Sequence, residues 1–145
     1  MLLTWLRLGF AEATAPLNGS LAGLVAVTAG AHALSPVSAL FVGAVAGLLV
    51  MPTISLLERL RIDDAVGAVP VHLISGIWGT LAVGLFGDAA ALGTGLGRLE
   101  QIAVQLIGIV AIGVWAFWFS YLLLKGIDRF FRSEERRVGK ECRSR

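Results

Sequence analysis

Long runs of uncharged, mostly apolar residues alternate with short polar connections along this 145-residue chain. Four of the runs contain no Asp, Glu, Lys or Arg, and they occupy residues 17–34, 37–57, 66–86 and 102–124. A helix that rises 1.5 Å per residue needs about 20 apolar residues to cross a hydrocarbon layer about 30 Å thick. Each run therefore predicts one membrane-spanning helix.

The composition agrees with this pattern, since 57% of the residues are hydrophobic and only 15% are charged. These values lie well outside the usual range of soluble globular domains. Buried helices of a large soluble protein are the alternative, but the chain has almost no amphipathic segments to cover them. We therefore predict an all-α, polytopic helical membrane protein. Residues 1–16 are expected to form the end of a preceding span and a cytoplasmic loop, because their apolar start lacks the basic residues of a signal peptide.

The segment 132–145 differs abruptly in composition from the rest of the chain. It matches, residue for residue, the translation of the reverse of a common short-read sequencing adapter, so we expect the native part of this sequence to stop near Phe131. Without this tail, six basic and seven acidic residues remain, and the net charge changes from +2 to −1. The basic excess therefore predicts no nucleic-acid partner. The single cysteine, Cys142, lies in the same tail and predicts no disulfide or metal chemistry.

The basic residues outside the tail fall mostly on one side of the predicted spans. Arg7 precedes the first span, Arg59 and Arg61 lie in the connection 58–65, and Lys125 and Arg129 follow the last span. The positive-inside rule places these segments and the C-terminus in the cytoplasm. The short turn at 35–36 and the Gly-rich connection 87–101 then face outward.

His72 is an ionisable residue inside the third apolar run, one to two turns beyond Asp64. A histidine at that depth costs least free energy when it is neutral, and it usually faces a cavity or a partner helix. It is therefore predicted either to line a pathway for a small polar solute or to pack against a neighbouring helix, and its position alone favours neither. At 3.6 residues per turn, its face is shared by small residues that leave room for a narrow passage: Ala68, Ser75, Gly76 and Gly79.

Two further residues of this run have local structural roles. Pro70 is expected to leave the carbonyl of Val66 without its helical hydrogen bond and so to open the helix locally, which slightly favours the pathway interpretation. Asp64 is predicted to cap the helix by accepting hydrogen bonds from its first free amides. His32, beside the outer turn, is expected to be interfacial. The chain supplies no nucleophile with a base, no carboxylate pair and no metal cluster, so we predict no enzyme, cofactor or metal site.

Small and aromatic residues add predictions about packing. Rows of small residues at helical spacing are expected to let helices approach closely; they are Gly19 with Gly23, Gly43 with Gly47, and Gly76 with Gly79. The aromatic residues between Trp115 and Tyr121 are predicted to anchor the last span at the membrane interface. The segment 93–97 lacks the Lys-Ser/Thr ending of a phosphate-binding loop and is expected to be a flexible outer loop.

Five segments together resemble the ammonium transporter (Amt) family in order and spacing. They are 18–25 with Thr28 and Ala29, 63–68, Val71 with His72, 76–86, and 105–108. The resemblance covers nearly all of residues 1–131 and corresponds to the last four of the family's eleven spans. The fold it implies is therefore four transmembrane helices of a larger eleven-helix bundle.

The resemblance implies a homotrimer in the cell membrane, in which each subunit has a narrow hydrophobic pore for ammonium or ammonia. Two hydrogen-bonded histidines line such a pore, and His72 is similar to the second of them. Ala68, Ser75 and Gly76 are weaker candidates for the pore face. The family commonly has Pro and Gly where this chain has Ala65 and Leu73, so the local packing is expected to differ. A PII-type regulator is implied for the intact protein, but the tail that would bind it is not in this sequence.

Two other functions remain open. In one alternative, the chain is the membrane module of an ammonium-responsive signalling protein whose soluble domain lies beyond Phe131. In the other, it belongs to an unrelated secondary transporter in which His72 only packs. The second alternative requires the similarity of residues 63–86 to be accidental.

Overall fold

The computed structural model describes residues 14–141, and the side chains of residue 14 and of residues 16–129. The described part is helical, with connections formed by turns and extended segments. Its elements are α1 (Thr14–Thr28), α2 (Pro36–Arg59), a π-helical turn (Val69–Ile74), α3 (Ser75–Phe86), α4 (Ala89–Leu92) and α5 (Arg98–Glu141). The predicted all-helical fold is confirmed over these residues.

Within the described residues, three helical stretches are long and apolar enough to cross a membrane: α2, the π-helical turn with α3, and the part of α5 that ends at Arg129. The apolar part of α1, Pro16–Thr28, is shorter. The predicted first span runs to residue 34, but α1 ends at Thr28 and residues 29–34 form turns. The regular helical bonding is interrupted there, since the amide of Gly30 donates to the carbonyl of Val27, only three residues earlier, and the amides of Ala33 and Leu34 share the carbonyl of Gly30.

The chain divides into two compact units, one that ends at Leu106 and one that begins at Ile107. The core of the first unit consists of small and β-branched side chains from α1, α2 and α3. One cluster contains Ala26, Val42, Ala46 and Ala82, and a second contains Ala22, Val50 and Val71. Such small side chains allow the helix backbones to pack at short distance.

Two of the three predicted rows of small residues lie where α1 meets α2. A methyl group at Gly23 would lie 3.2 Å from the carbonyl oxygen of Gly43, and one at Gly47 would lie 3.3 Å from the carbonyl oxygen of Gly19. Both distances are shorter than ordinary van der Waals contact, so a larger side chain at either position would separate the two helices. Gly19, Gly23, Gly43 and Gly47 therefore determine how closely α1 and α2 approach.

The second unit contains most of α5, with exposed aromatic side chains between residues 115 and 121. Trp115 stacks on Phe119 at a centroid distance of 6.1 Å, and Phe117 stacks on Tyr121 at 6.4 Å. The Lys125 ammonium lies 5.0 Å from the centroid of the Tyr121 ring, within range of a cation–π interaction. Their predicted role as an interfacial anchor remains a prediction.

Candidate functional site: the histidine-bearing turn

The entry to the candidate site is held by the carboxylate of Asp64. Its Oδ1 accepts from the amide of Ala68 at 2.8 Å, and its Oδ2 accepts from the amide of Val69 at 2.9 Å. The two amides belong to the start of the helical stretch, where they have no intrahelical partner and where the helix dipole favours negative charge. Both oxygens of one carboxylate thus fix the position at which the helix begins.

Gly67 lies in the turn before the helical stretch and close to α1. Its φ of +73° lies in the left-handed region that favours glycine. A methyl group there would also lie 2.7 Å from Nδ2 of Asn18 on α1. Gly67 therefore lets the chain turn into the membrane helix while it lies close to α1.

Pro70 lies in the first turn of the helical stretch. Backbone N–H groups in a first turn have no helical acceptor, so the missing N–H of proline breaks no helical hydrogen bond there. Val66 lies in the turn before that stretch. The expectation that Pro70 deprives Val66 of a helical bond is therefore wrong, because the helix begins only at Val69. The local opening exists in another form, since Val69–Ile74 is a π-helical turn. Turns of this kind occur often at functional sites.

His72 lies within the π-helical turn, and its side chain is exposed in the described chain. Ala68, four residues earlier, is also exposed. Gly76, four residues later, is half-buried, and only the nearby backbone of its own helix lies within 4 Å of the place a Cβ would occupy. The structure thus brings together His72, Ala68 and Gly76 beside open space. An imidazole there has both ring nitrogens available, one to donate and one to accept.

Ser75 differs from its predicted place beside His72. It is fully buried, and its hydroxyl donates to the carbonyl oxygen of Pro70 at 3.0 Å. The prediction assumed 3.6 residues per turn, and that spacing does not hold through a π-helical turn. Ser75 is thus part of the packed interior, and its hydroxyl is used within the chain.

Two contacts hold α3 against its neighbours, one to α2 and one to α1. The indole Nε1 of Trp78 donates to the carbonyl oxygen of Val42 on α2 at 3.0 Å. A methyl group at Gly79 would lie 2.7 Å from the Cα of Ala26 on α1. The small-residue pattern predicted close approach at Gly79, but no local signal indicates the acceptor of Trp78, which lies 36 residues earlier.

Two further polar residues of the first unit, His32 and Asp63, lie outside the histidine-bearing turn. His32 is exposed in the turn after α1, and Asp63 is exposed before the histidine-bearing turn. No group of three or more His, Cys, Asp or Glu side chains within the described residues is arranged to hold a metal ion. The histidine-bearing turn is the candidate functional site because an exposed imidazole there adjoins a tightly packed helix.

The Gly-rich connection has more structure than predicted. Asp88 caps the short helix α4 by accepting from the amide of Ala90 at 3.2 Å. The guanidinium of Arg98 donates to the carbonyl oxygens of Gly84 and Leu85 at the end of α3. Cations are favoured at a helix C-terminus, where the last carbonyls lack partners. This connection therefore ties the end of α3 to the beginning of α5.

Several apolar helices of spanning length, packed through small residues, define a multi-pass helical membrane protein. The sequence model of the Ammonium Transporter Family matches residues 1–141. This chain belongs to that family.

Individual relatives agree with the family assignment. The ammonium transporter Amt2 of Archaeoglobus fulgidus is 38% identical over 133 residues, which cover 85% of this chain and 28% of that protein. A Synechocystis sp. relative whose name also refers to ammonium transport is 43% identical over 115 residues, which cover 79% of this chain and 21% of the relative. The chain thus spans about a quarter of the length of the curated relatives that it matches.

A solved structure named Sensor Amt Protein has a similar fold. It superposes with a TM-score of 0.79 at 31% sequence identity, and the match covers 88% of this chain and 32% of that one.

Proposed function

We propose that this chain forms one wall of a pathway through which ammonium or ammonia crosses a membrane, and that His72 lines this pathway. The observation that carries the proposal is the exposed imidazole on a π-helical turn whose neighbours Pro70, Val71 and Ser75 are buried. An ionisable side chain in a membrane-spanning helix avoids lipid and faces a cavity or a partner. Membership of the ammonium transporter family makes ammonium the solute to test first.

The chemistry of the site suits a small solute that donates and accepts hydrogen bonds. A neutral imidazole can accept from ammonia with one ring nitrogen and donate to it with the other. A bare cation is strongly disfavoured in a dry, apolar passage, so the ammonium ion is expected to leave its proton before it passes His72. Ala68 and Gly76 supply the small neighbours that keep the passage open.

The rest of the proposed pathway comes from parts of the protein outside this chain. The relatives are about three to four times as long, which is consistent with an eleven-helix bundle whose last four helices lie here. We propose that the intact protein is a homotrimer in the cell membrane. The distribution of basic residues supports a cytoplasmic C-terminus. A PII-type regulator would bind a native tail that follows Phe131.

Substitution of His72 in the intact protein tests the proposal. His72→Ala is expected to change methylammonium uptake into vesicles, or the ratio of methylammonium to K⁺ flux, by about tenfold, because a solute loses its hydrogen-bond partner in a dry passage. Flux is normalised to the amount of inserted protein. His32→Ala is the matched control, since His32 is exposed in a turn and is expected to leave both quantities unchanged. Wild-type flux and selectivity in His72→Ala would overturn the assigned role.

A second function, ammonium sensing, is favoured by the similarity to the structure named Sensor Amt Protein. In that case the helices detect ammonium for a soluble domain encoded after Phe131. The genomic reading frame across codon 131 discriminates the two functions, since a long soluble domain supports sensing and a short tail supports transport. The same sequence tests the proposal that residues 132–145 are adapter-derived, and genomic continuity through Arg145 would overturn it.

A further inference from the structure

The buried face of α3 changes direction at the π-helical turn. Ser75, Gly79, Ala82 and Val83 are buried at the spacing of a regular α-helix. At 3.6 residues per turn, continuing this face toward the N-terminus would place residues 71 and 72 on it. A regular helix would therefore turn His72 toward the packed interior.

The observed burial is shifted by one residue. Pro70 and Val71 are the buried residues of the turn, and His72 is exposed. A π-helical turn accommodates one more residue than an α-helical turn, and one residue corresponds to a rotation of about 100° around the helix axis. The extra residue in Val69–Ile74 is thus what directs His72 away from α1 and α2.

Ser75 closes this turn with two hydrogen bonds. Its amide donates to the carbonyl oxygen of His72, and its hydroxyl donates to the carbonyl oxygen of Pro70, five residues earlier. The hydroxyl bond spans five residues, the same separation that backbone hydrogen bonds have in a π-helix, so it adds a side-chain bond to the π-helical turn. Because Ser75 is fully buried, water cannot replace that bond if the hydroxyl is removed.

We propose that Ser75 is a positioning residue for His72: its buried hydroxyl maintains the π-helical turn that directs the imidazole into the pathway. This inference rests on the proposed function, in which His72 lines that pathway. Ser75 itself does not touch the solute. Its effect on transport passes through the orientation of His72.

Three variants of the intact protein test the hydroxyl. Ser75→Ala removes the donor, Ser75→Cys leaves a weak one, and Thr80→Val is the matched control. The Thr80 hydroxyl donates to the carbonyl of Gly76 at 2.9 Å on the same helix, but outside the turn. Ser75→Ala is expected to lower the ratio of methylammonium to K⁺ flux per inserted molecule by about 2- to 10-fold. Ser75→Cys should lie between Ser75→Ala and wild type, and Thr80→Val should match wild type.

A double-mutant cycle separates positioning from general stability. In the His72→Ala background, Ser75→Ala should cause no further change in selectivity, because no imidazole remains to be oriented. An equal loss in both backgrounds, or wild-type selectivity in both Ser75 variants, would overturn the inference.

A spectroscopic measurement keeps the inference independent of the proposed function. The ¹⁵N signals of the His72 ring, assigned by their loss in His72→Ala, should shift in Ser75→Ala and not in Thr80→Val. Unchanged ring signals in Ser75→Ala would contradict the positioning role. If His72→Ala transports normally, the proposed function fails, and the ring signals still decide whether Ser75 orients the imidazole.

Discussion

The helices α3 and α5 are both apolar enough to cross a membrane, but α3 lies wholly in the first unit and most of α5 lies in the second. Of the apolar stretch that contains the π-helical turn and α3, 39% is buried, whereas none of the corresponding stretch of α5 is buried. Gly79 of α3 lies against the backbone of α1, while the Cβ position of Gly113 in α5 has only the nearby backbone of its own helix within 4 Å. Apolar composition thus selects the membrane as the environment, and small residues select where two helices meet.

The largest expected difference in stability between the two helices comes from replacing one glycine in each by alanine. Gly79→Ala would place a Cβ 2.7 Å from the Cα of Ala26, and backbone atoms cannot move aside easily. We expect a loss of about 3 kcal/mol in the free energy of unfolding of the intact protein. Gly113→Ala should instead be neutral or stabilising by up to about 1 kcal/mol, because alanine is the better helix former.

Reversible unfolding in mixed detergent micelles measures both glycine variants. Equal stability changes at Gly79 and Gly113 would show that the contrast between α3 and α5 has no energetic basis.

An intermediate effect is expected at the beginnings of the two helices. Asp64 accepts two amide hydrogen bonds before α3, whereas Glu100 accepts one, from the amide of Gly97 at 2.9 Å, at the exposed start of α5. Asp64→Ala is expected to lower the free energy of unfolding by about 2 kcal/mol, and Glu100→Ala by about 0.5 kcal/mol. The same unfolding measurement compares them, and a larger loss at Glu100 would contradict the capping geometry.

The smallest effect concerns the indole donors. Trp78→Phe keeps the ring but removes the hydrogen bond to the carbonyl of Val42, which should lower the free energy of unfolding by about 1 kcal/mol. Trp115→Phe in α5 keeps an aromatic ring beside Phe119. It should change the free energy of unfolding by less than about 0.5 kcal/mol. Thermal unfolding of the two variants side by side tests this. Indistinguishable midpoints would mean that the cross-helix bond contributes no net stability.

Much of the fold could be predicted from the length of the runs without charged residues, because the bilayer imposes a minimum length on any helix that crosses it. The end of α1 could not, since the charge-free run continues to residue 34, whereas the structure forms turns after Thr28. Asp64 is predicted from the sequence as the cap of the third helix; its carboxylate accepts from the amides of Ala68 and Val69, but Ala68 rather than Asp64 occupies the residue position just before that helix. Arg61 was not foreseen at a φ of +57°, where the chain leaves α2 in a conformation that usually requires glycine.

The site was less accessible to sequence reasoning than the spans. A membrane helix is apolar on its lipid side and on its packed side, so hydrophobic periodicity does not indicate which face is inward. Ser75 was therefore grouped with His72 by spacing, although the structure separates them by burial. Trp78 lies within the family-like segment 76–86, but its acceptor on α2 is a backbone carbonyl that leaves no mark in the sequence.

The sequence by itself determined the environment, the helical class and the chemical identity of the candidate side chain. Each of these follows from residue type and run length, which act locally. Only the tertiary structure decided that one turn takes the π form, that Ser75 is enclosed and that His72 is left open. These features depend on which face of a helix contacts its neighbours, and that choice arises from close packing among α1, α2 and α3.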